Sequence, residues 1–207
     1  MKIKNVIFDI GNVLVRWAPH EVIASVFPQF NPSDFYHRMY PIWIDLNLGK
    51  LSEEEAIIHY QNLFSLPGKD FIKLMHEFKI HQIPLPGSIA LLDKLKTLNI
   101  NLFSITDNVK EIMEYHKINS DFPQYFKDII VSAEIGVLKP NAKIYKHLLT
   151  KHALNPAESI FIDDLLTNVE GAIKVGMQAF QFTDHDSCGK KLMTSLSSNY
   201  AQEDSFV

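Results

Sequence analysis

The sequence predicts an α/β fold, a doubly wound parallel sheet with a small all-helical domain inserted after its first strand. Three observations predict it. Past Pro84 and Pro86, short apolar runs typical of strands are each separated from the next by a single helical pattern, which implies parallel pairing through right-handed crossovers. Between the first strand run and the second, the stretch from about 20 to 82 carries helical spacing only. At 207 residues with 46% hydrophobic side chains, the chain can bury one substantial core plus a modest extra lobe.

Residues 4–9 form the first β-branched and aromatic run, of the kind expected for a buried strand. In the insertion, Ser52 opens a capping box with Glu55, followed by Ala56, Ile57, Tyr60, Leu63 and Phe64 at helical spacing. Phe71, Leu74, Met75 and Phe78 make a second stripe. Pro41 interrupts the segment between Ser33 and Leu48, giving either a kinked helix or two shorter ones. A helix over 87–98 then precedes a strand from Asn101 to Ile105, and a helix over 108–118 precedes a strand from Asp128 to Val131. Pro140 is expected in the first turn of the next helix, where its missing N–H costs nothing. A strand over 159–162, a helix to about 175 and a strand near Gln178 to Phe182 complete the core, and the Ser- and Lys-rich tail from Asp184 offers one short helix at most. The core is therefore assigned to 1–15 and 84–207 and the helical unit to 16–83.

A net charge of -4, with Arg16 and Arg38 the only arginines, gives no basic face for nucleic acid. No apolar run reaches the roughly 18 residues of a membrane span. The start leads into a strand rather than a signal-peptide core, so a cytoplasmic location is expected. The sequence carries no signal of oligomeric state. The single cysteine, Cys188, lies in a polar stretch and reads as incidental, and none of the nine histidines falls in a metal-binding spacing.

Chemistry is suggested by polar residues at strand ends, because ligands in open α/β sheets bind just outside the carboxyl ends of the strands. Asp9 leaves an apolar strand for a glycine turn, Ile10-Gly11-Asn12. Asp163 and Asp164 repeat the pattern after Ile160-Phe161-Ile162. Thr106, Asp107 and Asn108 follow the second strand, and Lys139 precedes Pro140. Singly, each has an ordinary reading: a turn acid, a helix-capping Thr, a solvated lysine.

In this order and at these separations the residues resemble the four motifs of the haloacid dehalogenase (HAD) superfamily, with the insertion placed where that family carries a helical cap. The resemblance implies a Mg²⁺-dependent phosphatase acting on a small-molecule phosphate ester, with no nucleic-acid or membrane partner. It implies Asp9 as the nucleophile that forms an aspartyl-phosphate. Thr106 and the N–H groups of Ile10 and Asp107 would bind the phosphate, and Lys139 would neutralise it. Mg²⁺ would be held by Asp9, the Gly11 carbonyl and Asp164, with Asp163 either a further ligand or a support. Asn108 and Asn168 would support the site from behind, Asn168 by holding Asp164 or Lys139.

Two departures from the family pattern stand out. Asp107 occupies a position where Asn is frequent, adding negative charge beside a dianion. Gly11 stands where most phosphatases of the family carry the acid that protonates the leaving group. The form Asp-x-Gly-Asn-Val resembles a branch containing sugar-phosphate phosphatases, which points to an undemanding leaving group such as that of a hexose 1-phosphate. The alternatives are a metal-free dehalogenase, in which Arg38 would bind a substrate carboxylate, and a non-catalytic phosphate-binding protein. A phosphonatase finds no support, because no insertion lysine stands out as a Schiff-base residue.

Overall fold

The computed structural model describes residues 2–197. Five parallel strands, β1 (Asn5–Phe8), β2 (Asn101–Thr106), β3 (Asp128–Val131), β4 (Ser159–Asp163) and β5 (Gln178–Gln181), form one sheet in the order β3-β2-β1-β4-β5. The first strand is therefore central. Four helices follow it, α1 (Pro19–Val26), α2 (Pro32–Asn47), α3 (Glu53–Phe64) and α4 (Gly68–Ile80). The remaining helices are α5 (Ser88–Thr97), α6 (Lys110–Asn119), the short α7 (Ser132–Ile135), α8 (Ala142–Lys151), α9 (Leu166–Lys174) and α10 (His185–Ser197). The architecture is an α/β parallel sheet with a small helical cap inserted after the first strand.

Alternation along the strands explains the two helical layers. Val6, Phe8, Leu102, Ile160 and Ile162 pack on one face with Leu92 and Leu95 of α5 and with Leu192 and Leu196 of α10. Ile7, Phe103, Ile105 and Phe161 pack on the other face with Ile144, Tyr145 and Leu148 of α8 and Ala172 of α9. The cap has its own core, in which Phe27, Phe35, Phe64 and Phe71 meet, and that core reaches Val109 and Ile112 at the start of α6. The two connections between core and cap run side by side: Val15 pairs antiparallel with Pro84, and the Arg16 N–H donates to the Ile83 carbonyl at 2.9 Å.

The Ser52–Glu55 capping box forms with both of its hydrogen bonds. Of the two arrangements open at Pro41, the single helix holds, with the proline inside α2. Three expectations are corrected. Pro140 does not open α8: Asn141 takes the capping position and accepts the Lys143 N–H at 3.0 Å, so the helix begins after it. The helix after β2 starts at Lys110 rather than at 108, because Asn108 turns its Oδ1 onto the Val109 N–H at 2.8 Å. The segment after Asp184 forms a 13-residue helix rather than a short one, and Cys188, though its sequence neighbours are polar, is buried on the core-facing side of that helix. Burial pushes the Cys188 thiol up to about 12, so it is inert as a nucleophile. The part of that tail beyond Ser197 lies outside the described residues. Among the described residues, no helix is long and apolar enough to cross a membrane.

Candidate active site

Strand register assembles the site. Phe8 is level with Ser104 on one side and Ile162 on the other, so Asp9 leaves the sheet beside Asp163, with Thr106 at the adjacent strand end. The Asp9 N–H donates to the Ile162 carbonyl at 2.8 Å, which fixes the chain where the carboxylate departs. The 3.6-residue geometry of the helices has no part in this convergence; parallel pairing alone puts the acids at one end.

Lys139 ties the acids together. Its Nζ lies 2.8 Å from Asp9 Oδ1 and 2.7 Å from Asp163 Oδ2, and all three groups are buried. Asp107 positions that lysine by accepting its backbone N–H at 3.0 Å, so the extra acid serves the Lys139 loop through its carboxylate. Asp163 is fully engaged: besides Lys139, its oxygens receive the Leu165 N–H at 2.8 Å and the Asn168 amide at 3.0 and 3.1 Å. Asn168 therefore holds Asp163, not Asp164 or Lys139. Asp164 is half-buried and faces the cavity, with Asn12 donating to its carboxylate.

The electrostatics follow from burial. Removal from water pushes the Asp9 carboxyl above the usual carboxylate range; Lys139 pulls it back, and the Asp163 charge adds to the rise. Burial pulls Lys139 down, but Asp9, Asp163 and Asp107 outweigh it and hold the ammonium above its ordinary range. One buried cation thus serves several acids. One carboxylate oxygen from each of Asp9, Asp163 and Asp164 lies within 4.8 Å of the other two, a hard, all-oxygen donor set with an excess of negative charge. That chemistry fits a divalent cation such as Mg²⁺, which takes a few carboxylate ligands and keeps waters and phosphate oxygens for the rest.

The turn after Asp9 is built on Ile10, whose carbonyl accepts the Leu14 and Val15 N–H groups at 2.8 and 3.0 Å while its side chain enters the core. Asn12 adopts a left-handed conformation, φ 53°, which Asn tolerates better than most residues. Its Oδ1 accepts the Trp17 N–H at 3.0 Å, so one side chain links the first turn to Asp164 and to the cap entry. Asn108 is buried; its N–H donates to the Ser132 hydroxyl at 3.0 Å, and that hydroxyl donates to the Asn47 carbonyl at 2.7 Å, joining core to cap.

A cavity of about 420 Å³ lies between these residues and the cap. Asp9, Gly11, Thr106, Asp107, Lys139 and Asp164 line its floor. Trp17, Tyr36, Tyr40, Trp43 and Ile44 line its roof, with Asn47 and Gln82 at the side. Arg38 points elsewhere, donating to the Leu63 carbonyl at 3.0 Å with its guanidinium 4.4 Å from the Phe64 ring centroid, so it offers nothing to a substrate carboxylate. Asp45 pairs with Lys50, Arg16 with Glu21, and His20 packs on Tyr36. Sequence reasoning missed Asn12, Asn47 and Gln82. Asn12 alone had a signal, an Asn directly after a glycine at a strand end.

A sequence profile described as haloacid dehalogenase-like hydrolase matches residues 6–182. The chain belongs to this family. It is 27% identical over 184 residues to a sesquiterpene phosphatase of Aspergillus oryzae, covering 87% of this chain and 90% of that protein. It is 26% identical over 153 residues to a pyrimidine 5'-nucleotidase of Streptococcus pneumoniae, covering 70% of this chain and 65% of the other. In fold it resembles a HAD family enzyme of Bacteroides thetaiotaomicron solved in complex with magnesium and inorganic phosphate, with a TM-score of 0.76 at 18% identity over 87% of this chain and 94% of that one. The HAD core, its cap and the acid cluster of Asp9, Asp163 and Asp164 together constitute the machinery of a hydrolase.

Proposed function

We propose that this HAD hydrolase is a Mg²⁺-dependent phosphatase that cleaves a small phosphorylated metabolite through an aspartyl-phosphate on Asp9. The observation that carries the reading is the buried Lys139 ammonium held between Asp9 and Asp163 beside a cavity that Asp9 and Asp164 both line. Asp9 would attack phosphorus while Thr106 and the N–H groups of Ile10 and Asp107 receive the phosphate oxygens. Lys139 would keep nucleophile and phosphate from repelling each other. Asp9, the Gly11 carbonyl and Asp164 would hold the cation, and Asp163, its oxygens already filled, would support Lys139 rather than ligate. Bound there, Mg²⁺ supplies positive charge between two anions and orients the phosphate for in-line attack. Asn108 and Asn168 would hold the surrounding frame, and a cap spanning 16–83 would exclude water during transfer.

Gly11 bears on the leaving group. With no acid at that position, an ester whose alcohol needs little acid assistance is favoured, and the hemiacetal leaving group of a hexose 1-phosphate is less basic than a plain alkoxide. Phosphate release from a hexose 1-phosphate and from the corresponding 6-phosphate, with Mg²⁺ and with EDTA, tests both parts. Faster release from the 1-phosphate, lost with EDTA, is the expected result. Faster 6-phosphate hydrolysis would overturn the leaving-group argument, and activity indifferent to EDTA would overturn the metal.

A further inference from the structure

The floor and roof of the cavity divide by charge. Every charged residue lining it, Asp9, Asp107, Lys139 and Asp164, belongs to the sheet end. The cap contributes two indoles, two phenols and Ile44, with the uncharged amides of Asn47 and Gln82 at the side. Lys139 is the one cation among the lining residues, and its ammonium is already shared by two carboxylates. A second phosphate or a carboxylate on the substrate body would thus be desolvated with no positive partner, an arrangement that proteins avoid.

The aromatic groups form a wall, not a cage. Trp17 and Trp43 stack on each other with centroids 5.3 Å apart and planes 14° apart, and Phe78 packs against both at 5.2 and 5.3 Å. Tyr36 and Tyr40 continue the surface, tilted 58° at 5.6 Å. A quaternary or primary ammonium is bound by several open ring faces converging on it. Here the indole faces cover one another, so what they present to the cavity suits a flat or apolar group lying against them.

We infer that the substrate is a monophosphate whose alcohol is uncharged and carries a flat or apolar body that rests on the Trp17–Trp43–Tyr40 wall. The inference rests on the phosphatase reading above. It sharpens that reading, because hexose phosphates meet the charge condition but leave the apolar wall poorly filled.

Both tryptophans of the chain line the cavity, so tryptophan fluorescence excited at wavelengths that tyrosine does not absorb reports on this wall. The test titrates 2-phenylethyl phosphate, propyl phosphate, 3-phosphoglycerate and phosphocholine into the Asp9→Asn protein with Mg²⁺, and measures kcat/KM for the same esters with the wild type. 2-Phenylethyl phosphate should bind and turn over at least about tenfold better than propyl phosphate, a difference of the size that apolar pockets achieve. The two charged-body esters should fall below propyl phosphate. Tyr40 is 45% exposed, so Tyr40→Lys should fold normally while raising 3-phosphoglycerate relative to propyl phosphate. Equal binding of the phenylethyl and propyl esters, or a preference for either charged body, would overturn the inference. Discrimination in binding with no turnover by the wild type of any of these esters or of a hexose 1-phosphate would uphold the wall and overturn the phosphatase reading instead.

Discussion

Gly11 has no side chain at a place with room for one. A Cβ built there meets only Trp17 Cβ, at 3.8 Å, an ordinary van der Waals separation, and the residue is not among the glycines with a left-handed backbone. Neither packing nor backbone conformation therefore demands glycine, and the missing acid is a chemical feature of the site. Gly11→Asp should leave the melting temperature nearly unchanged and raise hydrolysis of a hexose 6-phosphate, by about 10²-fold if proton transfer to the leaving group limits it. A folded variant with no gain would show that another step limits. At this scale Asp9, Lys139 and Asp163 were readable as a set, by their order and separations, although each singly has an ordinary reading, and the structure brings the three together. Partnerships were less readable: Asn168 turned out to serve Asp163, because the choice among neighbouring acids depends on where α9 begins.

The cap helices are held by aromatic packing around α2. Phe35 is buried, with the Phe64 ring stacked at 4.0 Å and the Phe27 ring at 4.7 Å. Phe35→Ala should cost about 3–5 kcal/mol through lost contacts and the cavity left behind. Urea unfolding followed by circular dichroism should show the midpoint falling; an unmoved midpoint would mean that the cap contributes nothing to the measured transition. The stripe Phe71, Leu74, Met75 and Phe78 was legible as one face of a helix, and all four side chains are buried. In α3 the same reasoning was less accurate, since Ala56, Tyr60 and Phe64 face inward but Leu63 is 40% exposed. The last helix was under-read because its apolar stripe is narrow: Cys188, Leu192 and Leu196 recur every fourth residue among polar neighbours.

Across the whole molecule, the sheet order brings together acids separated by most of the chain. That the strands were parallel followed from their alternation with helices, but which strand became central did not, because order depends on tertiary pairing. The aromatic roof was equally hidden: the inward-facing members of the cap are fixed by how α2 packs on α1, α3 and α4. Core and cap also meet at His116, which is 1% exposed, with Nδ1 2.8 Å from Ser120 Oγ and Nε2 3.2 Å from Gln82 Oε1. Burial lowers its pKa from 6.5 to about 4. The unfolded chain therefore binds a proton between those values that the folded chain refuses. The stability from neutral His116 is complete above about 6.5, falls as pH drops through this window, and amounts to about 3 kcal/mol in all. Wild type should lose more stability than His116→Gln between pH 7 and about 4; parallel losses would mean that the imidazole is protonated in the folded state. The account as a whole turns on Asp9 as nucleophile. Its most direct test is phosphate release from a phosphomonoester with Mg²⁺ by wild type and by Asp9→Asn, a substitution that keeps the shape and one oxygen but removes the attacking carboxylate. Release by the wild type with none above background from the variant is expected, and comparable release by the two proteins would contradict the account.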